Sequence, residues 1–203
     1  MITPMALEGL DQWIGFIFAV VFALVVLGEA QQFYVHLFQP LSERTRIHYD
    51  VNLLHHYDLL ATPVLILAGW GWGSKTVAEP PYFPDSSICR AMKPLSGGLA
   101  SILLAGIFGS INMFVPFPAL EVAVKISVLM GVANLIIPIP PLGLGRALCA
   151  YFGIVDRNLE HIECGGALLI TALILLENLM HWPLLQAWVG LLAPDVSKWI
   201  LSA

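Results

Sequence analysis

The sequence predicts an all-α polytopic integral membrane protein, one membrane domain over residues 1–203 with about six transmembrane or partial helices. Three observations predict it. The chain is 58% hydrophobic and only 11% charged, whereas soluble domains carry about 25% charged residues. Its mean hydropathy is +0.82. Apolar stretches of the length needed to cross a bilayer, about 20 residues, recur from end to end. Backbone amides in hydrocarbon must bond within the chain, which favours helices. The roughly ten-residue alternating strands of a membrane barrel are absent from the pattern.

The first span is expected from about Trp13 to Phe38. Gln39-Pro40 stops it, because proline lacks a donor and disfavours helix before it. Glu8 and Asp11 precede this run and no Lys or Arg does, so it reads as a retained helix rather than a cleaved signal. Residues Leu41 to Asp50 form a polar connection. The second span is expected from Leu53 to Trp72, kinked at Pro63, with Trp70 and Trp72 suited to an interfacial aromatic belt. Ser74 to Lys93, with Pro80-Pro81, Pro84 and Asp85, reads as a loop outside the bilayer.

The third span is expected from Leu95 to Val115, turning at Pro116-Phe117-Pro118. The fourth follows from Ala119 to Ile137. Pro138-Ile139-Pro140-Pro141 is an irregular apolar segment, and Leu142 to Val155 a short partial span. Cys164 to Ala193 is the last, interrupted at His181-Trp182-Pro183. Lys and Arg flank the spans almost evenly on both sides, so the positive-inside rule assigns no orientation. Trp13, Trp182, Trp188 and Trp199 most simply mark interfaces.

The net charge of −5 is scattered and forms no basic patch, so nucleic acid is not an expected partner. Cys89, Cys149 and Cys164 are an odd number without C-x-x-C spacing, which argues for incidental thiols.

Several segments carry motif content. Gly28-Glu29-Ala30-Gln31-Gln32 keeps the carboxylate of the zinc-helix pattern H-E-x-x-H but neither imidazole. Asn52-Leu53-Leu54-His55-His56-Tyr57-Asp58 is similar to N-P-x-x-H-x-D. Gly69-Trp70-Gly71-Trp72-Gly73, then Pro81-Tyr82-Phe83, fits G-x-G-W-G…P-x-Y-F. Lys93-Pro94-Leu95-Ser96-Gly97 stands where A-G-P-x-x-N would. Asn134 to Arg146 is similar to N-L-x-P-I-P-P-L-D-G-x-R, with one extra residue between Leu135 and Pro138. In this order the segments resemble the site-2 protease family of intramembrane zinc metalloproteases, in its short bacterial form without a PDZ domain. The resemblance covers nearly the whole chain. It implies that family's fold and a bacterial inner (cytoplasmic) membrane location.

The resemblance places the three zinc ligands at Gly28, Gln32 and Gly143. A catalytic zinc needs about three His, Asp, Glu or Cys donors and an open position for water. The glycines offer no side chain and Gln32 a weak amide oxygen. No metal and no other cofactor is therefore expected, and Glu29 and His56 are expected to be vestigial. The histidine matching His56 orders the site in that family without ligating zinc. A rebuilt cluster of Glu29, His36, His55 and His56 is the alternative.

A carboxylate at membrane depth is costly and usually marks function. Glu29 reads either as a protonated group hydrogen-bonded to an amide such as Asn112, Asn134 or Gln32, or as a proton-carrying or ligand-binding residue. Glu121 and Lys125, four apart on one helix, are expected to pair. Glu177, Asn178 and His181 are possible partner contacts. Gly97-Gly98 and Gly106-x-x-Gly109 allow close helix approach.

The reading that follows is a catalytically inactive site-2-protease-like membrane protein. Its partners would be membrane lipids and other membrane protein subunits, as an accessory subunit or an assembly factor of a larger complex. The alternative is a divergent intramembrane zinc metalloprotease with substitute ligands. A small transporter using Glu29 lacks the inverted repeat that would support it.

Overall fold

The computed structural model describes residues 7, 9–40, 56–73, 80–154 and 156–202, with the side chains of residues 156 and 157 left out. The expected connection at 41–50, the segment 52–55 with His55, and His48 and Lys75 lie outside the described residues.

The described residues are helical. Helix α1 spans Leu10–His36, a 3-10 turn Leu59–Ala61 leads into α2 (Thr62–Ala68), and α3 spans Ser87–Phe114. Then follow α4 (Pro118–Ile136), α5 (Gly143–Tyr151), α6 (Asp156–Met180) and α7 (Leu185–Ser202). Among the described residues one β-bridge joins Tyr57 to Gly73. Four helical stretches are long and apolar enough to cross a membrane: Leu10–His36, Ser87–Phe114, Pro118–Ile136 and Asn158–Met180. These four are the candidate membrane-spanning helices among the described residues; α2, α5 and α7 are shorter.

The second span is where expectation and structure part most. Asp58 accepts from the Leu60 amide at 2.9 Å and starts the 3-10 turn that leads into α2, so the apolar stretch is interrupted near its start. Pro63 sits in the first turn of α2 instead of kinking a longer helix, a position where its missing donor costs nothing. Gly69, at φ 76°, ends α2 in the left-handed conformation that glycine adopts freely. Trp70 and Trp72 do not lie at an interface: both are fully buried, and Trp72 donates its indole N–H to Asp58 at 2.7 Å. Irregular backbone at membrane depth is tolerated when protein rather than lipid covers it, and these indoles supply that cover.

Helix α3 starts at Ser87, eight residues before the expected span, so Arg90 and Lys93 are helical rather than in a loop. Lys93 is buried, with its ammonium 6.0 Å from the ring centre of Phe83. The break at His181-Trp182-Pro183 separates α6 from α7 as expected.

Helix α4 is the centre. In its span window 72% of residues are buried, against 17% for α6, so α4 is wrapped by protein and α6 presents most of its surface outward. Lipid is as apolar as leucine, so helices in a membrane are held by close packing at small residues. A Cβ on Gly131 of α4 would lie 2.6 Å from Ile102 Cγ1 and 2.9 Å from the Gly98 carbonyl of α3. A Cβ on Gly97 would lie 2.6 Å from the Leu27 carbonyl of α1. These glycines set the α1–α3–α4 spacing. Gly106 meets nothing within 4 Å. Glu121 and Lys125 pair at 3.8 Å. Gly131→Val should therefore lower stability by about 1–3 kcal/mol in thermal unfolding in detergent, while Gly106→Val leaves the midpoint nearly unchanged.

Candidate functional site

The site is built where α1, the segment before Asp58, α4 and the start of α5 meet. Glu29 lies on the inner face of α1. His56 approaches it with Nε2 at 3.4 Å from Oε1, and both side chains are 11% exposed. The His56 ring lies against Gly28. A Cβ built at Gly28 would overlap His56 Nδ1 and sit 2.8 Å from Cε1. The imidazole thus occupies the volume that any side chain at position 28 would need.

Asn134 arranges the opposite wall. Its Nδ2 donates to the Gly71 carbonyl at 3.0 Å and the Met130 carbonyl at 2.8 Å. Its Oδ1 accepts from the Gly143 amide at 3.1 Å. One buried amide therefore ties the Trp70–Trp72 segment and the first residue of α5 to α4. A Cβ on Gly143 would lie 2.8 Å from the Asn134 carbonyl and 3.0 Å from the Pro94 carbonyl. Both contacts are to backbone, so a larger residue would have to move a helix.

The walls enclose a cavity of about 10 Å³, lined by Leu27, Gly28, Gln31, His56, Gly73, Asn134, Gly143 and Arg146. That is about the space of a single water molecule. Arg146 closes one side through a two-point pair with Glu163, at 2.8 and 3.2 Å.

The structure brings Gly28, Glu29, His56 and Gly143 together from three distant parts of the sequence. Gln32 is half-buried and lies outside the cavity lining. Among the described residues, no three His, Cys, Asp or Glu side chains converge as a metal would require. His36 does not join Glu29; its Nδ1 pairs with Gln39 Oε1 at 3.0 Å at the end of α1. Two amides considered as partners of Glu29 are engaged elsewhere: Asn134 as described, and Asn112 as acceptor for the Phe117 amide at 3.1 Å. The described residues that line this cleft do not fit a zinc ion. Two of the three expected ligand positions are glycines hemmed in by an imidazole or by backbone, and the space between them is water-sized.

Glu177, Asn178 and His181 have work inside the chain. The buried Glu177 carboxylate accepts from the Leu184 amide at 2.8 Å, from the Leu185 amide and from the Gln186 amide at 3.4 Å. It caps the N-terminus of α7, where amide donors otherwise go unmet. Asn178 donates to the Ile174 carbonyl at 2.9 Å. His181 is exposed at φ 53°, taking the left-handed position that ends α6, with Trp182 N–H bonded back to the Glu177 carbonyl at 3.2 Å.

Gln31 is the site residue that motif reading missed; Asn134 stood first in the N-L-x-P-I-P-P segment and was read as a candidate partner of Glu29, and its place here is as the tie between segments. Gln31 is buried, donates to the Leu27 carbonyl at 3.1 Å, and its Oε1 has no hydrogen-bond partner among the described residues. It is an amide inside an apolar helix, and that rarity was the available signal.

Compared with models of protein families, with curated proteins and with solved structures, the chain matches none.

The packing of His56 on Gly28 is testable by a double-mutant cycle. Gly28→Ala should destabilise by about 1–3 kcal/mol. The same change in a His56→Ala background should cost much less, giving a coupling of about 0.5–3 kcal/mol in denaturation measurements.

Proposed function

We propose that this chain is a catalytically inactive membrane scaffold of the site-2-protease type. It serves as a structural or accessory subunit, or an assembly factor, of a larger membrane protein complex in a bacterial inner membrane. The observation that carries this reading is the His56 ring seated over Gly28, opposite a Gly143 walled by backbone. A hydrolytic centre of that type needs donors and a water at this point, and here the space admits one small molecule at most. Glu29 acting alone as a general base would contribute only about 10²–10⁴-fold, whereas enzymes accelerate their reactions by about 10⁶-fold or more.

The apolar surface supports the second half of the reading. Helix α6 is 17% buried in its span window and presents Leu168, Leu169, Leu175, Leu176 and Leu179 outward. That surface meets lipid or a neighbouring subunit. A fold that keeps its packing glycines, its proline segment and its buried amide without a reaction centre is suited to holding other chains; this step is an analogy from fold to role.

Purification in a gentle detergent tests it. The chain should migrate in a particle well above its own 22.2 kDa, with fixed stoichiometry to other integral membrane proteins. Migration as a lone chain together with cleavage of membrane-embedded peptides would contradict the proposal.

A further inference from the structure

Helices α4 and α7 do not close against each other along their full length. Between them lies a groove of about 530 Å³, with Lys125 and Leu129 on one side and Ala193, Ser197, Lys198 and Leu201 on the other. The α7 residues recur every three to four positions and so form one face of that helix. The volume lies within the 300–1,000 Å³ range of small-molecule sites.

The charge of this groove is one-sided. Its lining contains two lysines and no carboxylate. Glu121 reaches Lys125 at 3.8 Å from one turn away, across a half-exposed pair, and such pairs are weak. Asp195 lies on α7 outside the lining.

The depth of the groove follows from packing. A Cβ on Gly109 of α3 would overlap the Ile200 side chain, so the last turn of α7 lies beside the end of α3. Lys125 is seven residues into α4 from the same α3–α4 turn, about 10 Å along the axis, within reach of the membrane edge for a lysine stem. Phe114, Phe117 and Trp199 are exposed at this end, as aromatic residues at a headgroup level are.

We propose that this groove binds an acidic phospholipid, its phosphate between the ammonium groups of Lys125 and Lys198 and an acyl chain along Leu129, Ala193 and Leu201. The occupant must be both anionic and apolar. A lipid of the surrounding bilayer meets both demands, and basic pockets between membrane helices take such headgroups. The site lies at the α4–α7 groove and does not depend on the role proposed for the chain as a whole.

The test uses the full chain, purified in gentle detergent with whatever companions it retains. Thermal unfolding is followed with added phosphatidylglycerol, phosphatidylcholine or inorganic phosphate, and bound lipid is counted by native mass spectrometry. Phosphatidylglycerol should raise the midpoint and stay bound; phosphatidylcholine and inorganic phosphate should do neither. K125Q/K198Q should bind phosphatidylglycerol roughly tenfold or more weakly, with its lipid-free midpoint unchanged. Should the double variant fold poorly, K198Q alone, altered at an exposed position, should still retain less of that lipid. An equal effect of phosphatidylcholine, an equal effect of inorganic phosphate, or undiminished binding by the lysine variants would overturn the proposal. So would a photo-crosslinker at Leu129 that captures a protein instead of a lipid.

Discussion

One buried side chain, Asn134, holds two stretches of the molecule's irregular backbone to α4. Asn134 takes up the Gly71 carbonyl, the Met130 carbonyl and the Gly143 amide. Hydrocarbon offers no water to satisfy such groups, and each one left unmet inside the protein costs about 1–3 kcal/mol. The Gly71 amide adds a contact to Met130 Sδ of α4 at 3.1 Å, and the buried Trp70, Trp72 and Leu142 pack in the same core. With these contacts, Gly73, Gly143 and His56 are delivered to the same point of α1. Trp70, Trp72, Ile137 and Leu142, all fully buried, then seal the irregular segments from lipid.

That convergence explains why the site is closed. The His56 ring lies in contact with the α1 backbone at Gly28 and its Nε2 faces Glu29. A buried carboxylate is tolerable beside such a group, since burial of an unpartnered charge is what costs most. Gly28 serves as the contact of α1 with His56, and Gly143 as the contact of α5 with the Asn134 and Pro94 carbonyls of α4 and α3.

Much of the fold was legible from the sequence, and the errors have physical causes. The first and fourth spans, the Pro138–Pro141 segment and the break before α7 were marked by proline and by runs of apolar residues, which act locally. The second span failed because hydropathy cannot tell apolar residues covered by protein from those covered by lipid. The Leu53–Trp72 stretch is apolar enough, but Asp58 and Gly69 bound a short helical stretch within it, Leu59–Ala68. Lys93 looked like a loop residue because its charge was visible and its cover, Phe83, was ten positions away. Of the site, Gly28, Glu29, His56 and Gly143 were identified from motif positions. What was not legible was that His56 fills the space above Gly28, because that contact depends on tertiary packing. Glu177 was read as a possible partner contact; the amides it caps belong to a helix whose start lay inside the expected last span.

The closed cleft is tested most directly by metal content. Protein purified in mild detergent, exposed to zinc and passed through a desalting column should carry far less than one zinc per chain, and His56→Ala should not change that figure. One tightly held zinc per chain, lost on replacing His56, would mean that the cleft opens to a metal centre and that the packing of His56 on Gly28 is not its functional state.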